Sequence, residues 1–172
     1  MDNPSDITCS YKMCRKSLRL STEDLFDLIK KNQDDSIFIQ VIDPTWIVSI
    51  KHLQAAVHHT LKAFKNSRNI ARSSETELFL RLSGYRQIKN AIKAFGIDNQ
   101  TKTLLLIAFG GTSKENETIL EQFFSKTDLE QEENVELPLT DTQKLLTYYG
   151  CEKDPSLLEK KVLEKIALME IS

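Results

Sequence analysis

Three short stretches carry residue types that could do chemistry. Gly110-Gly111-Thr112-Ser113-Lys114 stands where an apolar run gives way to a helical pattern, the place that phosphate loops occupy. It lacks the G-x-x-x-x-G-K-[ST] spacing that lets backbone N–H groups wrap a phosphate chain, so it reads as a turn followed by a helix N-cap. His58 and His59 are adjacent. On a helix, successive side chains point about 100° apart. The pair therefore does not grip one metal ion, and no third ligand is suggested nearby. No G-x-S-x-G elbow is present, and no cysteine–histidine arrangement has a recognisable signature. Carboxylates pair only within acidic runs, which read as solvated faces. Composition and spacing thus point to a chain with no catalytic residues, no metal site and no cofactor of its own.

The third stretch is Ser83-Gly84-Tyr85-Arg86-Gln87. Gly84 interrupts what would otherwise be one long helical pattern, so it reads as a joint between two helices. The start of the second helix presents backbone N–H groups without intrahelical partners, which favours an anion. Arg86 falls in that first turn, where the helix dipole disfavours a cation. A bound anion would compensate it. Lys89 and Lys93 continue the basic face, Tyr85 offers a stacking surface, and Gln87 offers a donor and an acceptor to a base edge. The plainer alternative is a joint followed by a solvated or ion-paired arginine.

Charge is separated along the chain although it nearly cancels, with a formal net charge of −2. Residues 51–93 hold nine lysines and arginines against two acids; residues 115–141 hold nine acids against one lysine. Such asymmetry bears on partners, and the basic block could follow a phosphate backbone.

These features need elements to hold them. Residues 7–14 read as a weak edge strand. Ser21 caps a helix that buries Leu25, Leu28 and Ile29. Residues 36–43 are rich in β-branched residues and end at Asp43-Pro44, a strand and a turn. Ser49 caps a helix to about Asn66 that buries Leu53, Ala56, Val57, Leu61 and Phe64. Ser73 or Ser74 caps the helix that Gly84 ends. The next helix buries Ile88, Ala91, Ile92 and Phe95, and Gly96 closes it. Residues 103–109, TLLLIAF, form an unbroken apolar run with the length of a central strand buried on both faces. Thr112 with Glu115 predicts a capping box and a helix to Phe124. A short strand is expected at Val135-Leu137. Thr140 caps a helix that Gly150 ends, and Asp154-Pro155 opens the last one. That last helix carries two apolar stripes: Leu158, Val162, Ile166 and Met169, and then Leu163, Ala167 and Ile171. One core covers one side of a helix, so the excess is a candidate partner surface. The alternative is a helix wedged within the chain's own core.

The expected class is α/β (α+β): a single domain over residues 1–172, with a small mixed sheet flanked by several helices. Cys9, Cys14 and Cys151 are an odd number at no metal spacing; a Cys9–Cys14 disulfide is one option, but reduced thiols suit the remainder of the reading. No apolar region of the secretory kind follows Met1, and no run approaches the ~20 residues of a membrane span. The expectation is a cytoplasmic protein with no membrane contact.

Taken in order, three segments resemble a known family. They are SSETELFLRLSGYRQIKNAIKAFGI (residues 73–97), VLEKIALMEI (162–171) and DPTWIVSIKHLQAAVHHT (43–60). The resemblance is to the CGI/TPRKB family, the small kinase-binding subunit of the KEOPS complex. The archaeal branch is closest, with its SGxRQI and LEKIAL patterns. The likeness covers roughly residue 37 onward and is weakest over residues 110–141. It implies a non-catalytic subunit that binds a kinase-like ATPase, and through it meets the threonylcarbamoyltransferase subunit. It also implies recruitment of transfer RNA by its 3′ CCA end for threonylcarbamoyladenosine modification. By motif match, Lys51, His52, Arg72, Ser73, Ser83, Gly84, Arg86 and Gln87, with Lys89 beside them, are the candidate RNA-binding residues. Val162, Leu163, Ile166, Ala167, Leu168 and Met169 are the candidate contacts to the kinase-like subunit. The competing readings are a pure protein-interaction module without RNA contact, and a small enzyme acting on an anionic ligand.

Overall fold

A computed structural model describes residues 9–17 and 19–171. Ile7 and Thr8, the start of the expected first strand, lie outside the described residues. The chain forms two compact units: one holds the residues up to Asp43 with Gly96–Val135, the other Pro44–Phe95 with the residues from Glu136 onward.

The first unit carries the sheet. Strands β1 (Cys9–Arg15), β2 (Phe38–Ile42), β3 (Thr103–Phe109) and β4 (Glu130–Gln131) lie in the order β2-β3-β1-β4. The apolar run at 103–109 is a central strand, and Leu104 to Phe109 are all buried. Every described pairing is antiparallel, which corrects the mixed sheet expected. The reason lies in the order. β1 and β2 run the same way, but β3 stands between them and opposes both. Directly opposed residues share a face. Ile39 and Val41 therefore sit level with Ala108 and Leu106. They meet Leu25 and Ile29 of α1 (Thr22–Asn32) and Leu120 and Phe123 of α5 (Ser113–Ser125) in one apolar cluster. The expected strand at Val135-Leu137 is absent; β4 lies upstream instead, where Gln131 and Glu130 pair with Cys14 and Arg15. Cys9, Cys14 and Cys151 are free thiols. Burial pushes Cys14 up to about 12 and Cys9 up to about 11, so neither is a ready thiolate.

The glycine pair at 110–111 is a steric requirement of the turn. Gly110 has φ +104°, and a Cβ there would lie 2.3 Å from the Ser36 carbonyl oxygen. Thr112 and Glu115 then form the expected capping box on α5. No phosphate loop results.

The second unit is helical: α2 (Ile50–Lys65), α3 (Ser74–Ser83), α4 (Ile88–Phe95), α6 (Thr142–Tyr149) and α7 (Leu158–Leu168), with 3-10 turns at Pro44–Trp46 and Pro155–Leu157. α2 packs on α3 and α7, and α3 packs on α4. Ser49 and Ser73 cap α2 and α3 as expected, each accepting from the N–H three residues on. On α2, Leu53, Ala56 and Val57 are buried, whereas Leu61 and Phe64 are only half-buried. Three further expectations are corrected. Asp141, not Thr140, caps α6, because the Thr140 hydroxyl donates to the Thr45 carbonyl. Gly96 does not take the left-handed conformation; among the described glycines only Gly84, Gly110 and Gly150 have positive φ. On α4 only Ala91 and Phe95 are buried, while Ile88 and Ile92 are 42% and 47% exposed. Those two isoleucines sit one turn apart on a face that the second unit leaves open.

Candidate functional site: a glycine joint and an outer helix face

The basic block lies wholly in the second unit. Its centre is the α3–α4 joint. Gly84 takes φ +67°, and its N–H donates to the Leu80 carbonyl. The Ser83 hydroxyl donates to the same carbonyl at 3.2 Å and accepts the Tyr85 N–H at 3.1 Å. Ser83 is thus buried in building the turn. α4 begins at Ile88, so Arg86 stands before the helix and Lys89 is the cation in its first turn. The expected clash of Arg86 with the helix dipole is therefore displaced onto Lys89. Gln87 holds the helix start through its carbonyl, which accepts from Asn90 and Ala91, and its side chain accepts from Asn90. Tyr85, Arg86, Gln87 and Lys89 are all exposed.

Upstream of α3 the chain is fixed from below. Glu77 Oε2 accepts the N–H groups of Ile70 and Ala71 at 2.8 and 2.7 Å. Glu77 Oε1 accepts from Arg81 Nε and Nη2 at 2.9 and 2.7 Å. Both side chains are almost wholly buried. This pair sets the loop that delivers Arg72, exposed, and Ser73, exposed and occupied as the N-cap of α3. In the sequence Glu77 and Arg81 look like one of many surface i, i+4 charge pairs; only the density of apolar residues around them, at Leu78 to Leu80 and Leu82, hints at burial. Arg81 belongs to the core, not to the basic face.

His52 is the largest departure. It is fully buried. Nδ1 accepts the Val48 N–H at 3.2 Å, and Nε2 lies 2.9 Å from the Leu82 carbonyl, to which it donates. Those partners fix one neutral tautomer. Burial pushes its pKa down to about 4, against a small opposing pull from the Leu82 carbonyl and Glu159. As folded, this ring offers nothing to RNA. Lys51, one residue earlier, is exposed and lies 3.3 Å from Glu159. The residues that the structure leaves accessible are therefore Lys51, Arg72, Ser73, Arg86, Gln87 and Lys89, with Gly84 half-buried and His52 and Ser83 internal.

The last helix separates its two stripes. Val162, Ile166 and Met169, with Leu158, are buried within the second unit. Leu163 is half-buried and Ala167 exposed, while Leu168 and Ile171 are 48% and 82% exposed. Of the six residues expected to meet a partner, the inward three hold the fold, and Leu163, Ala167 and Leu168 face outward. Glu170, just past this helix, binds His59 at 2.5 Å and Lys62 at 2.9 Å. Burial lowers the His59 pKa, with Glu170 pulling the other way. His59 and Lys62 thus tie Glu170 to α2. Among the described residues no group of three or more His, Cys, Asp or Glu could hold a metal ion, and no helix is long and apolar enough to cross a membrane.

An aromatic wall that the sequence reading does not single out stands beside the joint. Trp46 and Tyr148 stack at 4.1 Å and 12°. Tyr148 meets Tyr149 edge to face, and the Tyr149 hydroxyl donates to the Trp46 carbonyl at 2.7 Å. Tyr148 is hydrogen-bonded to Tyr85, and burial with that bond raises its pKa.

Comparison with known proteins agrees with this chain's motifs. A 91-residue segment is 32% identical to the EKC/KEOPS complex subunit CGI121 of Debaryomyces hansenii, covering 52% of this chain and 45% of that protein. A 102-residue segment is 31% identical to the KEOPS complex subunit Cgi121 of Pyrococcus abyssi, covering 58% of this chain and 53% of that protein. The chain thus spans about half the length of the curated relatives it matches. The sequence model of the family described as kinase binding protein CGI-121 matches residues 18–171, nearly the whole chain, and the chain belongs to that family.

Proposed function

We propose that the chain is a non-catalytic subunit of a cytoplasmic KEOPS complex. It binds the kinase-like ATPase through the outward face of α7 and recruits transfer RNA by its 3′ CCA end for threonylcarbamoyladenosine modification. Through the ATPase it meets the threonylcarbamoyltransferase subunit indirectly. Family membership and the names of the two relatives support the complex. The observation that carries the RNA part is the joint at Gly84, which presents Tyr85, Arg86, Gln87 and Lys89 together, all exposed, on the basic unit. Such a set grips phosphate by charge and bases by stacking and amide contacts.

The test is paired. Arg86→Glu abolishes transfer-RNA binding that weakens steeply with salt in the parent chain, without unfolding the protein. Leu168→Glu abolishes co-purification with the ATPase subunit and leaves RNA binding intact. Undiminished RNA binding by Arg86→Glu sinks the site. One observation favours a second reading: Ile88 and Ile92 are exposed beside Lys89 and Lys93, as a face meeting an acidic protein would be. A stable complex with the ATPase and no RNA binding at any salt concentration would select that reading.

A further inference from the structure

We propose that the cleft walled by Trp46 and Tyr148 receives one base of a single-stranded RNA. The inference rests on the RNA reading above and names a subsite that the motifs do not reach. The cleft holds about 350 Å³ and is lined by Trp46, Gln143, Lys144, Thr147 and Tyr148. That is the small end of the range for ligand sites, the scale of a single nucleoside. Its wall is set in advance. Trp46 stacks on Tyr148, its carbonyl is held by the Tyr149 hydroxyl, and Tyr148 is tied to Tyr85. A flat ring entering here meets aromatic surface without waiting for side chains to order, so little conformational entropy opposes it.

The chemistry of the rim favours a base over other flat or extended ligands. Gln143 supplies an amide for a base edge, and Lys144 supplies a cation for the adjoining phosphate. None of the five lining residues is acidic. The one acid at the head of the same helix, Asp141, is engaged as its N-cap on the Gln143 N–H. The Tyr85–Tyr148 hydrogen bond makes the wall continuous with the Gly84 joint. A strand held by Arg86 and Lys89 can thus place a neighbouring base against Tyr148. A proline-rich peptide also suits aromatic grooves, but it has no use for the Lys144 cation on this rim.

Trp46 is the only tryptophan of the chain, so its emission reports on this cleft alone. The full chain is titrated with a short single-stranded RNA ending in CCA, with the same RNA lacking its terminal bases, and with a proline-rich peptide. Binding of each RNA is followed in parallel by anisotropy of a label at its 5′ end. We expect saturable quenching of Trp46 at the midpoint of the anisotropy curve, and a weaker response from the base-less RNA. Tyr148→Leu weakens binding roughly tenfold or more, the scale of losing one base–aromatic stack. Lys144→Gln, a change at an exposed position, weakens binding and reduces its salt dependence. The subsite is overturned if RNA binds with full dependence on Arg86 while Trp46 emission and the affinities of both variants stay at the parent values. In that case the RNA reading itself survives. Quenching by the peptide and not by RNA also overturns the proposal and gives the cleft to a peptide. Absence of RNA binding in the parent chain overturns both.

Discussion

His52 separates a binding residue from a structural one, and its protonation measures which it is. The folded ring is neutral, fully buried and bonded at both nitrogens, with a pKa pushed down to about 4 from the ordinary 6.5. Above pH 6.5 the ring is neutral in the folded and unfolded chains alike, and it adds no pH dependence. As the pH falls through 6.5, the unfolded chain takes up a proton that the folded chain refuses. Stability is therefore lost on acidification, by about 1.4 kcal/mol per pH unit, until the folded ring protonates near pH 4. Over that window the loss amounts to about 3 kcal/mol, a sizeable share of a typical domain's stability.

The assay is urea unfolding between pH 7.5 and 4.5 on the parent chain and on His52→Gln. A glutamine amide can donate to the Leu82 carbonyl and accept from the Val48 N–H, but it does not titrate. His59, whose pKa is also lowered, titrates in both proteins and so cancels from the comparison. The parent should lose stability more steeply than the variant below pH 6.5, and the two curves should run parallel above it. Superimposable slopes would refute the buried neutral ring, as would a resonance assigned to the His52 imidazole titrating near 6.5 in the folded parent. Either result would return His52 to the candidate RNA contacts.

Other outcomes follow from the same geometry. Removing one member of the buried Glu77–Arg81 pair, by Glu77→Gln or Arg81→Met, should cost about 3–5 kcal/mol by denaturant unfolding, because the other is left poorly compensated. The double variant should cost less than the sum. Gly84→Ala should destabilise by about 1–2 kcal/mol for its left-handed backbone, with more from a Cβ placed 3.2 Å from Lys165 Cβ. Gly150→Ala, at φ +66° with nothing nearer than the tip of Lys161, should show the backbone part alone. Thr112→Ala should cost about 1 kcal/mol by loss of the capping box, read as a lower melting temperature.

What the sequence made legible is what depends on neighbours along the chain. Ser21, Ser49 and Ser73 act as caps because a hydroxyl beside the first turn has an N–H to accept wherever the helix goes. The run at 103–109 is a central strand because, after Thr103 at its start, no polar residue in it asks for water. Residues paired across space were illegible. His52 has the spacing of an exposed first-turn residue, and Leu82, thirty positions away, with the rings of Phe95 and Tyr149, makes it internal. Ile88 and Ile92 have the spacing of a buried face, yet the partners of α4 cover only Ala91 and Phe95. The same limit applies to the candidate site. A motif can nominate Arg86, since its neighbours in sequence are its neighbours in space. It cannot nominate Tyr148, which reaches the joint only because α6 folds back to place its hydroxyl on Tyr85. A base-binding wall assembled from Trp46 and Tyr148 is therefore the kind of site that motif matching passes over, and it makes Tyr148→Leu more discriminating than any further substitution within the SGYRQ stretch.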